Sequence, residues 1–317
     1  MKKEILLPSG TLFKYEEFGD FQPKKDNMEI ILFVHGANQT SFCWKQLIEN
    51  LSSSSKIFLS INLTGFGKSE PAFIPYTNEE KLELAISDLN SFYLWYNSEK
   101  NFKWKIVAFS FGTYISILWY LNFSPKIDTM VLCAPYGIFP DVGKWSFYLS
   151  SVFVRKLYLK VQRMIDYVRK WVFCSKPCKY LYEKHNYSYD IISSTITWSL
   201  RNGCFVSNPL LEKIASINIP IHIVYAGNDI VSSYCQGNIL QMIYPDIIKG
   251  FYVLKYSSHV FIRDKEFEQI LNFLFFNKPP RNIIYNFLIN YNIWKTEKNI
   301  RNYQLSLSNW FTDEQKE

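Results

Sequence analysis

Cysteine and histidine are both scarce in this chain, and that scarcity narrows its chemistry before any motif is read. Six cysteines are spread over 317 residues. Only Cys174 and Cys178 lie close together, without the second pair that a structural zinc site needs, so the cysteines read as buried thiols. Just four histidines, His35, His185, His222 and His259, are available as a general base or ligand. No repeat or low-complexity tract interrupts the chain. Its start, Met1-Lys2-Lys3-Glu4, runs into a strand-like stretch with neither a long apolar core nor a small-residue cleavage site. No signal peptide is expected there, and the protein is expected to be cytoplasmic, at most peripheral to a membrane or lipid droplet. One stretch, Ile106 to Pro125, carries no charge and has the length of a membrane span. Its interior holds Ser110, Gly112, Thr113 and Ser116, so it reads as a buried strand followed by a helix. No metal or cofactor is expected.

What the chain has in abundance is apolar mass. It is 48% hydrophobic, too apolar for disorder, and its length suits one large α/β domain. Aromatics make up 18%, beside abundant Asn, Lys, Ile and Tyr. This bias is consistent with nucleotide composition, so single aromatics carry little functional weight here. Charge is uneven: ten basic residues between Lys144 and Lys184 face only Asp166 and Glu183, while the whole chain sums to +7. Rings such as Trp145, Tyr148, Phe153 and Trp171 interleave with those cations. Such a segment suits an anionic membrane or lipid-droplet surface, and it equally suits the solvated face of a helical insertion. No nucleic-acid-binding motif accompanies it, and no nucleic-acid partner is expected.

Along the chain, Glu4–Leu7 and Thr11–Phe18 flank Pro8-Ser9-Gly10 and predict a hairpin. The apolar run Glu29–Val34 ends at His35-Gly36, as a buried parallel strand entering a loop would. A helix over 41–51, a strand over 56–62, a turn at Thr64-Gly65-Phe66-Gly67 and an amphipathic helix over 79–97 follow. Then come a strand over 104–109, a helix over 111–121 and a strand over 127–134. After a helical-looking region, strands are predicted over 219–225 and 250–256 and a closing helix over 264–276. This alternation is that of a mostly parallel sheet covered on both faces.

The sharpest local signal is Ala108-Phe109-Ser110-Phe111-Gly112, set between an apolar strand and an apolar helix. A nucleophile elbow needs a serine on a strained turn with small residues two positions to either side. Alone, the pattern also fits a buried serine at a helix start. Order strengthens it: Asp229 follows one late strand and His259 the next, giving the sequence Ser, acid, His at a sheet's carboxyl edge. His35 fits better as part of an oxyanion loop and His222 as a core residue, while His185 lies far from the serine motif. In this reading Ser110 is the nucleophile, His259 its base and Asp229 the residue that orients the base. The N–H groups of Ala37 and Phe111 are the expected oxyanion donors. Gly65-Phe66-Gly67-Lys68-Ser69 imitates a phosphate loop, but Asn62 stands where that motif requires glycine. Asp264 reads preferentially as the N-cap of the closing helix; His259-x4-Asp264 also matches the His-x4-Asp pair of glycerolipid acyltransferases.

His35-Gly36, the run Asn62 to Ser69, the serine elbow, Asp229 and His259 together resemble the α/β-hydrolase superfamily over residues 4–276. More narrowly, 63–69, Pro135-Tyr136-Gly137-Ile138-Phe139-Pro140 and 259–264 are similar to the branch containing N-acyl-phosphatidylethanolamine lipases and a lipolysis co-activator that has lost its serine. The resemblance implies an α/β-hydrolase fold: a mostly parallel eight-stranded sheet with helices on both faces and a helical cap insertion. The expected division is a core over 1–138 and 217–276, a cap over 139–216 and a tail over 277–317. It implies a serine hydrolase acting on acyl lipids of the phospholipid or lysophospholipid kind. Two alternatives stay open: acyl transfer to lysophosphatidic acid through His259 and Asp264, and a non-catalytic adaptor at a membrane or lipid droplet. Ala108, Asn62 and Ala226 depart from the residues usual at those positions.

Overall fold

The structure, a computed structural model, describes residues 2–19, 28–37, 39–51, 56–73, 75, 78–98, 101–138, 210–229, 232 and 234–278. The expected cap, apart from 210–216, the basic aromatic segment with His185, and the tail beyond 278 lie outside the described residues.

The chain opens with a hairpin of β1 (Lys2–Leu6) and β2 (Leu12–Phe18), closed where Leu6 pairs with Leu12. Six further strands join it: β3 (Glu29–Val34), β4 (Lys56–Ile61), β5 (Lys103–Phe109), β6 (Ile127–Cys133), β7 (Ile221–Ala226) and β8 (Ile248–Leu254). All eight form one sheet in the order β1-β2-β4-β3-β5-β6-β7-β8. The pairs β1/β2 and β2/β4 are antiparallel, and every other pair is parallel. The last strand starts and ends two residues earlier than the apolar pattern predicts.

The middle strands read as unbroken apolar runs because both sides of them are covered. Ile30, Leu32, Ile106 and Ala108 meet Ile86 and Leu89 of α2 (Asn78–Tyr96) and Ile115, Ile117 and Trp119 of α3 (Phe111–Phe123). On the opposite side, Ile31, Phe33 and Val107 meet Leu47 and Ile48 of α1 (Lys45–Leu51) and Phe267, Ile270 and Leu271 of the closing helix Lys265–Phe276. The short α4 (Leu210–Ile214) buries Leu210 and Ile214 in the first of these cores. A helix that the sequence pattern did not reveal, α5 (Tyr234–Ile243), lies between β7 and β8; the closing helix is α6. Gly237 in α5 reads as a breaker, yet a side chain there would collide with the rings of Tyr225 and Phe251, so glycine lets the helix lie close against those strands.

The apolar stretch from Ile106 to Pro125 divides between β5 and α3. Among the described residues, no helix is long and apolar enough to cross a membrane.

Two features of the topology prepare a site. Strand order reverses at β3, whose sequence successor β4 lies on one side and β5 on the other. The loops leaving β3 and β5 therefore part and open a crevice at the carboxyl edge. At the opposite edge Glu29 pairs with Lys56 and with Lys105 at 2.9 Å, so the ion pairs stand at the end away from the crevice.

A buried carboxylate ties the flanking turns to this frame. Asp88 of α2 is fully buried and accepts hydrogen bonds from Ser9 Oγ at 2.5 Å and Thr64 Oγ at 2.7 Å. Asp88→Ala deletes both bonds; Ser9 keeps its bonds to Thr11, while the buried Thr64 hydroxyl loses its carboxylate. Urea denaturation is expected to show a loss of about 3 kcal/mol.

Candidate active site

Ser110 sits between β5 and α3 with φ 49° and ψ −118°, a conformation that non-glycine residues rarely adopt. Three contacts hold it there. Its N–H donates to Cys133 O of β6 at 2.8 Å. Its carbonyl accepts from Thr113 N at 2.9 Å and from Thr113 Oγ at 2.6 Å. Gly112 lies so near the end of β3 that an added Cβ would stand 2.5 Å from His35 O and 2.7 Å from Val34 O. The small residue at the second elbow position is thus dictated by backbone against backbone. Ala108, at the first, is fully buried and its methyl fits the core, so the absent glycine leaves the turn intact.

Ser110 occupies the cap position of α3, yet its side chain makes no cap bond. Its Oγ lies 3.1 Å from His259 Nε2, and His259 Nδ1 lies 2.7 Å from Asp229 Oδ2. A carboxylate only accepts, so Nδ1 carries the proton and Nε2 faces the serine hydroxyl as acceptor. The Asp229 side chain is fully buried, whereas that of His259 keeps 21% of its surface exposed. The other Asp229 oxygen accepts from Ser232 N at 2.9 Å, and Ser232 Oγ donates to Pro135 O at 2.6 Å. Ser232 was not singled out in the sequence, where an aspartate followed three residues later by a serine is too common a spacing to notice. Phe109 packs its ring 5.2 Å from the His259 ring and 5.8 Å from that of Phe261, supporting the imidazole from below.

On the other flank, His35 is fully buried at the end of β3. Leu63 N–H donates to its Nε2 at 3.1 Å, so Nδ1 carries the hydrogen and donates to Gly36 O at 2.7 Å. Burial pushes the His35 imidazole down to about 4, against the smaller opposing pull of the Gly36 carbonyl. His35 is accordingly a neutral brace between the loops after β3 and β4. Gly36 lies against Phe109 and Ser110, Ala37 follows it, and Phe111 opens α3, where its N–H has no partner within the helix. The two expected oxyanion donors thus border the same elbow.

Other candidates fall elsewhere. His222 lies on β7 with Nδ1 3.4 Å from Tyr252 Oη, and burial lowers its pKa. Asp264 does precede α6 with extended backbone, but its carboxylate makes no cap bond. It accepts instead from Ser257 Oγ, while both His259 nitrogens face Asp229 and Ser110. The structure therefore corrects the cap reading in its chemistry, though not in its position. The imitation phosphate loop is closed on itself: Gly65 N donates to Ser69 O, Phe66 N to Leu63 O and Ser69 N to Phe66 O. Asn62 braces that turn, donating to Gly67 O and accepting from Ser41 N, each at 2.6 Å. Among the described residues, no group of His, Cys, Asp and Glu is placed to hold a metal ion.

The buried neutral His35 has a consequence for acid stability. Its folded pKa, about 4, lies below the ordinary 6.5, so the unfolded chain takes up a proton first as pH falls. Stability is intact above pH 6.5, is lost on descending toward pH 4 and levels off below it, a total of about 3 kcal/mol from this residue. Denaturation curves of wild type and His35→Gln across that interval are expected to show the shallower loss in the variant.

Comparison with known proteins agrees with this architecture. The profile of the hydrolase family described as serine aminopeptidase, S33, matches residues 25–266. No curated protein sequence matches the chain. An esterase from Exiguobacterium antarcticum superposes with a TM-score of 0.62 at 15% identity, covering 86% of this chain and 98% of its own. A thermophilic esterase from Thermogutta terrifontis gives 0.60 at 16%, covering 87% and 98%. An enol-lactonase from Burkholderia xenovorans LB400 gives 0.58 at 17%, covering 86% and 99%. These likenesses describe a shared fold, and the profile spans most of the sequence. The chain belongs to the serine aminopeptidase S33 family of α/β hydrolases.

Proposed function

We propose that this protein is a serine hydrolase that cleaves carboxylic esters of acyl lipids, with Ser110, His259 and Asp229 as its catalytic triad. The observation that carries this reading is the unbroken chain of contacts from Asp229 Oδ2 to His259 at 2.7 Å and from His259 to Ser110 Oγ at 3.1 Å.

As Ser110 Oγ attacks the acyl carbonyl carbon, His259 Nε2 takes the hydroxyl proton. The negative charge passes to the carbonyl oxygen, where the N–H groups of Ala37 and Phe111 stabilise it by about 3 kcal/mol per donor. Asp229 keeps the proton on Nδ1 and steadies the imidazolium. Collapse of the intermediate breaks the ester C–O bond, and the departing alcohol takes the proton from Nε2. Water then attacks the acyl-enzyme, giving its proton to His259, and Ser110 recovers that proton as the free acid leaves. A lowered His35 pKa keeps that imidazole uncharged beside the oxyanion loop, so it does not compete as the base.

Lipid is the substrate class favoured by the sequence, through the basic aromatic segment 144–184 and the similarity to acyl-lipid hydrolases. Acyl transfer to a lysophospholipid would pass through the same acyl-enzyme. The engagement of Asp264 with Ser257 favours water as the acceptor, because Asp264 is then occupied away from the reacting atoms. The esterases among the structural neighbours support ester over peptide cleavage only as company in the fold.

A fluorophosphonate probe is expected to label the wild-type protein on Ser110 and to leave Ser110→Ala unlabelled. Asp229→Asn is expected to lower kcat on a p-nitrophenyl ester by about 10⁴-fold, because the wrong imidazole tautomer then faces the serine. Folded wild-type protein that takes no label at Ser110 would remove the proposal. Radiolabelled phosphatidylcholine then tests the lipid class: release of free fatty acid is the expected product.

A further inference from the structure

We propose that Asp264, acting through Ser257, is a positioning residue that holds His259 over Ser110. The inference rests on the triad reading above and extends it to the loop that carries the base.

His259 stands in the connection between β8 and α6, a stretch open enough that Tyr256 is 79% and Val260 45% exposed. A base on such a loop needs an anchor. Aspartate at the start of a helix ordinarily turns its carboxylate to the unpaired N–H groups of the first turn. Asp264 has the extended backbone of that position, φ −74° and ψ 135°, but leaves the helix without a side-chain cap. Its Oδ2 accepts the hydroxyl hydrogen of Ser257. The bond crosses the base of the loop, with His259 between the two residues it joins.

Ser257 in turn connects that loop to the one bearing Asp229. Its carbonyl accepts from Asn228 N at 3.0 Å, and its N–H donates to Leu254 O at the end of β8 at 3.2 Å. Asp264 also donates its own N–H to Phe261 O at 2.9 Å. Phe261 is fully buried and meets Phe109, whose ring lies under the imidazole. One carboxylate thus closes a frame with Asn228 on one side and the Phe109 support on the other. Asp264 itself touches neither ring nitrogen of His259, so its effect is on where the base stands rather than on its proton. Displacement of a catalytic group by about 1 Å costs on the order of 10²-fold in rate, and loosening one anchor of several should cost less.

The test uses the full chain, the second-order rate of fluorophosphonate labelling at Ser110, kcat and KM for p-nitrophenyl butyrate, and the melting temperature. Asp264→Ala and Ser257→Ala are each expected to slow labelling and lower kcat by about 10-fold, with KM within about twofold. The double variant should be no slower than either single one, because both remove the same bond. Asp264→Asn, which keeps an oxygen for the Ser257 hydroxyl, should recover most of the rate. Ser257→Ala leaves the start of α6 untouched and carries the test if Asp264→Ala does not fold. Wild-type labelling rates in both alanine variants, with only a lower melting temperature, would overturn the proposal. So would a rate loss in Asp264→Asn as large as in Asp264→Ala, since that would make the charge rather than the bond the working feature. If wild-type Ser110 takes no label at all, the triad reading falls and this inference with it.

Discussion

The backbone at Ser110 is the constraint on which the rest of the site depends. Its left-handed φ costs on the order of 1–3 kcal/mol, which no isolated segment would sustain. Here β6 receives its N–H, Thr113 donates twice to its carbonyl, and Gly112 lets the first turn of α3 lie on the last carbonyls of β3. Each bond is worth about 1 kcal/mol net, so the three together match the strain before any packing is counted. Because these partners come from three different elements, the turn forms only when the sheet has formed. The serine hydroxyl is then projected from the carboxyl edge by the fold as a whole.

The two elbow phenylalanines divide the support of the site between them. Phe109 belongs to the core on the α1 and α6 side, and Phe111 to the core on the α2 and α3 side. The first lies beneath the His259 ring, and the second packs at a tilt against Phe66, which in turn meets His35. A single pentapeptide therefore carries Ser110 and reaches into both cores, one beneath His259 and one beside Phe66 and His35. Residues two apart share a face in a continuous strand, so the division comes from the sharp turn at Ser110, which ends β5 at Phe109 and starts α3 at Phe111. The individual aromatics, discounted in the sequence as compositional bias, turn out to be specific where they flank Ser110.

The sheet was legible in the sequence because β3, β5 and β6 are apolar on both faces, and such runs bounded by Gly and small polar residues have few other uses. The position of Ser110 was legible for a related reason, since it directly follows such a run, and Asp229 and His259 each come a few residues after a later strand, β7 and β8. What escaped notice were residues whose role lies in a bond rather than a pattern. Ser232, Ser257 and Thr113 are small hydroxyl residues common in any sequence, and nothing in their spacing announces the partner each one holds. The α5 helix was hidden by Gly237, which ordinarily weakens a helix and here permits its close approach to Tyr225 and Phe251. Asp264 was placed correctly before α6, but the helix-cap rule describes what an aspartate does when no stronger partner is near. The Ser257 hydroxyl is such a partner.

Two imidazoles border the elbow, and their surroundings assign them opposite work. His35 has both nitrogens committed to backbone groups within a fully buried turn, so adding a proton would destroy one bond and place a charge where no water reaches. Burial is what lowers its pKa, to about 4, against the opposing Gly36 carbonyl. His259 has one nitrogen committed to a carboxylate and the other facing a hydroxyl, with part of its ring open to solvent. Its Nε2 is left facing the Ser110 hydroxyl instead of being committed to the backbone, which is the arrangement the proposed triad requires. Bracing the loop after β3 and facing Ser110 thus fall to different imidazoles, because two backbone bonds commit His35 within the buried turn while His259 keeps one nitrogen toward the hydroxyl.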